Sequence, residues 1–528
     1  MGKNGMVTSG HHLASFVGAH VLREGGNAVD ASIATSATLC VVKPHMCGLG
    51  GDSFTLVYHQ KTGHVNALNA SGPAPKRSNA ESFLEEGFTG IPEEGIRSAA
   101  VPGIVDSWTQ LSEKYGTLPL AKLLEPAVNY AIQGFPVYGE LSKAIEIASE
   151  KISASKESAR TYISNGSAPK IGDILVQSDL GDSLKKLAHL GREAYYEGEI
   201  ADAIDNYSSE KDGWLTKEDL HDYKSEWFQP ISTEYRGSIV YEQPPVSQGF
   251  LLLEMLNIVE GYDLAAQEFD SIENIHLCSE AAKLAFADRL KYFGDPQYVN
   301  VPIERILSKE HAHAIRNRIK MDEVNKFRSP RDLLRSYQTT YSAVIDDEGN
   351  AVSCIISLFT NFGSGVIVPK TGIVLNDRMF GFSLRPGHPN RLEPGKRPIH
   401  TLNSYMILKN GDLFLFGGSP GADLQVQTNL QVISNIIDHK MDLQTAIEAP
   451  RWSIYPGSFP LDEENHYELR LESRFAKSNV DDLAEVGHKV RIAGPWEFGD
   501  AAAIKVDGEK NCYFGGADLR RESYAIGF

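Results

Sequence analysis

The spacing of apolar residues changes character along the chain. HHLASFVGAHVLREGG carries apolar positions at helical spacing and ends in Gly25-Gly26, which suits a C-cap. NAVDASIATSATLCVV follows as a second helix, with Asn27 at the N-cap. A Gly-rich turn, CGLGGDS, leads into FTLVY and HVNALNA, which read as a hairpin across Gly63. Residues 100–290 alternate helical stretches with short loops, and GFLLLEMLNIVEG (Gly249 to Gly261) predicts a buried helix.

The pattern shifts over about residues 310–338. KMDEVNKFRSPRDLLRSYQ is charged and carries Pro330, which predicts an exposed, weakly structured arm. Beyond it the chain becomes strand-rich. YSAVIDDEGNAVSCIIS reads as two strands around a Glu-Gly-Asn turn. SYMILKNGDLFLFGG is a second hairpin turning at Asn410-Gly411, and AAAIKVDGEKNCYFGG a third around Asp507-Gly508. Helical pieces such as VQTNLQVISNIIDH and AKSNVDDLAEVGH lie between them. Antiparallel strands with helices outside them predict a layered α+β fold.

At 528 residues the chain is too long for one simple core. Its formal charge of −18 disfavours nucleic acid and anionic membranes as partners. Five cysteines without paired C-x-x-C spacing disfavour a disulfide framework or a zinc site. The start lacks an apolar h-region and no run approaches a membrane span, so a soluble, cytoplasmic protein is expected. His11, His12 and His45 have no carboxylate or cysteine at ligand spacing, and GLGGD lacks the Lys-Ser/Thr ending of a phosphate loop, so neither metal nor cofactor is expected. Cys354, in the apolar stretch AVSCIIS, reads as a small buried hydrophobe.

The polar arm ends at Gln338, and Thr339-Thr340 opens a strand. Threonine is a weak nucleophile unless a base is close, and a threonine freed as an N-terminus carries one in its α-amine. Such chemistry also needs preorganised N–H donors for an oxyanion. GGSPGAD (Gly417 to Asp423), between a strand and a helix, is a candidate turn for them, and Ser357 is placed to reach the Thr339 amine. On spacing alone each of these also reads as an ordinary structural feature.

An ordered set of motifs adds what spacing lacks. LREGGNAVDASIATSATLCVV with GLGGD, AAVPGIVDSW, EQPPVSQG, YFGDP, TTYSAVIDDEGNAVS, FGSG, GIVLND, PGKRP, GSPG and GGADLRRE together resemble the γ-glutamyltransferase family of N-terminal-nucleophile hydrolases over nearly the whole chain. The resemblance implies a four-layer αββα sandwich built jointly by a large subunit, 1–338, and a small one, 339–528. It implies self-cleavage between Gln338 and Thr339, with Thr339 as nucleophile, Ser357 supporting it, and Gly421 and Ala422 as the oxyanion hole. The substrate is then a small-molecule amide whose acyl group passes to water or an amine. The minimal unit is a large–small pair, and two such pairs joining is compatible with the resemblance.

The substrate positions depart from the family pattern. Ser71 stands where an arginine would hold the γ-glutamyl carboxylate, and Arg77 is out of register. Gly381, beside Phe380, stands where an aspartate would hold the α-amine. Phe359 replaces an asparagine, and His400-Thr401 replace paired serines. A desolvated ammonium needs an anionic partner. The resemblance implies γ-glutamyl hydrolysis or transfer; the alternative these departures favour is an acyl group without a free α-amine, such as glutaryl, whose carboxylate Arg378 would pair, and the sub-pattern resembles the acylase-like branch of the family. Arg378 also reads as a surface loop residue. Two readings of other classes stand beside this: an unprocessed, inactive relative acting as a binding protein, and a cysteine- or metal-dependent hydrolase.

Overall fold

The computed structural model describes residues 1–164, 166–325, 337–455 and 467–528. Two sheets organise them. One has seven strands in the order Tyr524–Gly527, Met6–Ser9, Tyr337–Ile345, Ala351–Thr360, Asp52–His59, His64–Ala70 and Glu226–Phe228. The other has six, in the order Cys512–Ala517, Ala502–Asp507, Asp412–Gly418, Ser404–Lys409, Ser238–Glu242 and Ile231–Tyr235. All pairings within both sheets are antiparallel.

The apolar content of the strands explains why both faces of each sheet are covered. Side chains alternate between faces along a strand. In Ala351–Thr360, Ala351 and Ile355 join Phe54, Leu56, Tyr341, Met406, Phe416 and Ile504 in a cluster between the sheets. Val352, Cys354, Ile356 and Leu358 point the other way, into a cluster with the helices His12–Arg23 and Ala28–Val42. In the six-stranded sheet Met406 and Leu408 face inward, whereas Tyr405 and Ile407 pack with helices Gly249–Val259 and Leu424–Ile437. The result is a mixed α and β fold with helices outside and strands inside.

Several predicted boundaries hold for local reasons. Asn27 caps Ala28–Val42 in a capping box with Asp30. Asn410 and Gly411 both take positive φ, as the two-residue hairpin turn requires. The third hairpin turns differently from expectation: the left-handed residue is Asn511, not Gly508. The Asp507 carboxylate accepts the Lys510 N–H at 3.0 Å and closes a longer loop. The predicted arm also begins later than its charge suggested. Lys309–Arg316 is a helix with Ala312 and Ile315 buried in the same core as Gly249–Val259. Residues 326–336 of the expected arm lie outside the described residues. Among the described residues, no helix is long and apolar enough to cross a membrane.

Candidate active site

The chemistry-bearing candidates meet where Tyr337–Ile345 pairs with Ala351–Thr360. Thr340 opposes Ile356, yet Gln338 opposes Phe359, so the second strand carries one extra residue opposite Thr339. This bulge re-aims Ser357 toward the first strand. The Thr339 hydroxyl donates to Ser357 Oγ at 3.2 Å, and Ser357 Oγ donates to the Gln338 carbonyl at 2.8 Å. The Phe359 N–H donates to Ser357 Oγ at 2.8 Å. A hydroxyl has one proton and two lone pairs. With both lone pairs of Ser357 occupied, its proton is directed to the Gln338 carbonyl.

The bulge is a strained place. Phe359 has φ +94°, a region bulky residues rarely adopt. Asp377 fixes the next residue: its carboxylate accepts the Thr360 N–H at 3.1 Å and the Thr360 hydroxyl. Burial pushes the Asp377 carboxyl up to about 6, against the pull of Lys151.

Gly417 to Asp423 supplies the second element. Gly418 ends its strand against Tyr341, where a Cβ would come within 2.6 Å of the ring. Tyr341 and Thr339 share a strand face, so the turn leaves the sheet on the side of Thr339. Gly421 and Ala422 have φ of +121° and +53°. Neither of their N–H groups has a protein acceptor among the described residues. The turn is anchored from behind. Gln248 Nε2 donates to the Ala422 carbonyl at 3.0 Å and to the Thr401 carbonyl at 2.7 Å, while Gln248 Oε1 accepts from Arg289, which pairs with Asp423. Gln248, Arg289 and Asp423 were missed from sequence. EQPPVSQG and GSPGAD contain two of them, but only the fold brings them to one turn.

The substrate candidates divide. Arg378 is not a surface residue: it is 1% exposed, and its Nε pairs with the buried Asp52. Its two terminal nitrogens have no hydrogen-bond partner among the described residues, and its guanidinium lies 4.6 Å from the Phe359 ring centroid. His400 is buried edge-on to Phe54, with neither ring nitrogen partnered among the described residues. Burial, with Arg378 and Arg397 adding to it, holds its pKa well below the ordinary value, so the ring is neutral. Thr401 is buried and engages Gln248 through its carbonyl.

Ser71 does not offer a free hydroxyl to a ligand. Its Oγ donates to Asn69 Oδ1 at 2.6 Å, a local turn bond that occupies it. Its carbonyl accepts from Arg397 Nε at 3.2 Å, so the guanidinium beside this position comes from PGKRP, while Arg77 is exposed. Gly381 has room for a side chain: the atoms nearest to a Cβ added there, on Phe359 and Ile399, lie at 3.7 Å. A cavity of about 670 Å³ opens beside it, lined in part by Phe293, Phe380, Phe382, Arg385 and Ile399.

Cys354 is buried, accepts from the Thr55 hydroxyl at 3.4 Å, and has its thiol pushed up by burial, the reverse of a reactive thiolate. The two groups of converging metal-type donors among the described residues, His276–Glu280–His488 and Glu254–Asp288–His311, contain none of His11, His12 and His45.

The chain matches the family Gamma-glutamyltranspeptidase over residues 14–528. It is 41% identical to the glutathione hydrolase-like YwrD proenzyme of Bacillus subtilis strain 168, across all of this chain and 99% of that relative. It is 35% identical to the acylase ACY 1 proenzyme of Pseudomonas sp. strain V22, over 96% of this chain and 91% of the relative. Among solved structures, the cephalosporin acylase from Bacillus halodurans superposes with a TM-score of 0.92 at 35% identity, covering 100% of this chain and 96% of that one. Motif order, fold and relatives agree: this chain belongs to the γ-glutamyltranspeptidase family, among glutathione hydrolases and acylases.

Proposed function

We propose that the chain is a precursor that cuts itself between Gln338 and Thr339 and then cleaves amides through a threonyl acyl-enzyme. The observation that carries this reading is the directed series from Thr339 through Ser357 to the Gln338 carbonyl. Thr339 Oγ attacks the Gln338 carbonyl carbon while Ser357 supplies a proton to the carbonyl oxygen and takes the one Thr339 loses. The carbonyl then re-forms as the C–N bond breaks, the proton on its oxygen passes to the nitrogen, which leaves as the Thr339 α-amine, and water hydrolyses the resulting ester. The related proenzymes support a precursor of this kind. Met6–Ser9 and Asp52–His59 precede the cut and flank Tyr337–Ile345, which contains it, and Ala351–Thr360, which follows it. The fragments 1–338 and 339–528 therefore stay joined in one αββα sandwich. In the mature enzyme the α-amine serves as base, and the Gly421 and Ala422 N–H groups receive the oxyanion. The acyl group passes to water or an amine.

The acyl group we assign is one that carries a carboxylate and lacks a free α-amine, as in a glutaryl amide. Arg378 presents two donors that are unpartnered among the described residues beside a neutral His400, and the carboxylate next to it, Asp52, is already paired. An ammonium there would meet a guanidinium. The test compares kcat/KM for glutaryl p-nitroanilide with that for γ-glutamyl p-nitroanilide. A preference for glutaryl is expected, and a preference for γ-glutamyl would return the site to γ-glutamyl hydrolysis and transfer.

A further inference from the structure

We infer that Arg521 is a positioning residue for self-cleavage, holding the Gln338 side chain so that the carbonyl to be cut stays on Ser357. The inference rests on the self-cleavage reading above.

Arg521 Nη1 donates to Gln338 Oε1 at 3.1 Å and to Glu140 Oε1 at 3.1 Å. The other Glu140 oxygen accepts Lys43 Nζ at 2.8 Å. Lys43 is fully buried and also donates to the Gly10 carbonyl at 3.1 Å. Gly10 closes the circuit, because a Cβ there would collide with Thr340 Oγ1. The network thus grips the chain on both sides of Thr339: Gln338 through its carboxamide, Thr340 through close backbone approach. Burial disfavours charge on Glu140, yet Lys43 and Arg521 hold its carboxyl below the usual carboxylate range, so the bridge stays ionised. Ser523 Oγ donates to Asp500 at 2.5 Å, and Asp500 is close enough to be influenced by Lys43 and Arg521.

Attack on a peptide carbonyl depends on its orientation. Displacing a reacting group by about 1 Å costs on the order of 10²-fold. The Gln338 carbonyl belongs to the same residue as the carboxamide that Arg521 holds, so freeing that side chain lets the peptide plane rotate away from Ser357. The geometry also gives the step a condition. Arg521 precedes the last strand, Tyr524–Gly527, which pairs with Met6–Ser9, itself paired with the nucleophile strand. The clamp forms only once the C-terminal end has docked, so cleavage waits for the complete fold.

The test uses full-length chain made by cell-free translation, following loss of the uncut band with time. Arg521→Gln and Gln338→Ala are each expected to slow cleavage by roughly tenfold or more. The double variant should be no slower than the slower single, because both remove one interaction. Arg521→Lys should recover part of the rate. In a Thr339→Ala background, Gln338→Ala, which leaves the Arg521–Glu140 pair intact, should leave the melting temperature where it was. Wild-type cleavage by Arg521→Gln, slowing that multiplies in the double variant, or a melting temperature lowered by Gln338→Ala would each overturn the inference. If Thr339→Ala itself is cut, the self-cleavage reading fails; if it stays whole while Arg521→Gln cuts normally, only the positioning role fails.

Discussion

Arg378 and Asp52 form a buried ion pair that is satisfied on one side only: Asp52 takes Nε, while both terminal nitrogens of Arg378 are without acceptors among the described residues. Buried donors without partners are costly, and sites that retain them are built for a ligand or water. Arg378→Gln should therefore lower kcat/KM for a glutaryl anilide by about a hundredfold, the cost of unpairing a buried charge. The same change should affect a butyryl anilide, which has no carboxylate, far less. Steady-state kinetics on processed enzyme with the two anilides checks this.

Gly381 has space to spare beside the cavity lined by Phe380 and Phe382. A Cβ meets nothing closer than 3.7 Å, so Gly381→Asp introduces an anion beside the pocket without forcing the backbone. The ratio of kcat/KM for γ-glutamyl over glutaryl anilide should rise at least about tenfold, in keeping with the ~1.5 kcal/mol of a charge-assisted hydrogen bond. An unchanged ratio would place Gly381 away from the α-carbon of the acyl group.

Ser357 is assigned a proton-handling role, and a hydroxyl is what that role needs. Ser357→Ala should slow loss of the full-length band by about 10²-fold or more, comparable to losing one oxyanion donor. Ser357→Thr, which keeps the hydroxyl, should still cut. The time course of precursor decay in the two variants tests the distinction.

Much of the frame was legible in the chain. The turn at Asn410-Gly411, the cap at Asn27, and the apolar run AVSCIIS each carry a local physical signal that the fold obeys. The neighbourhood of Thr339 was legible too, because the family motifs run in order through it. What stayed hidden depends on residues far apart in sequence. Asp52 and Arg378 are 326 positions apart, and nothing near either predicts the pair. Arg397 reaches the carbonyl of Ser71 across a similar distance. The bulge opposite Thr339 also escaped notice, since Phe359 at positive φ runs against its own backbone preference.

Asp377 gives a pH signature. Its carboxyl is raised by burial to about 6 in the folded chain, against 3.8 when solvated. Between these values the folded state binds a proton that the unfolded state does not, so stability falls as pH rises from about 4 to about 6 and is flat above. Asp377→Asn removes this term. The difference in unfolding free energy, wild type minus variant, should decline over that window in urea titrations made in the Thr339→Ala background. A rising difference would mean that the carboxylate is stabilised there instead.

The central claim is that Thr339 breaks the bond that precedes it. The direct measurement is N-terminal sequencing and intact mass of the purified protein beside its Thr339→Ala variant. The account predicts two chains from the wild type, the smaller beginning Thr-Thr-Tyr-Ser, and one uncut chain of 528 residues from the variant. A wild-type chain that stays whole, or a variant that is still cut after Gln338, would contradict it.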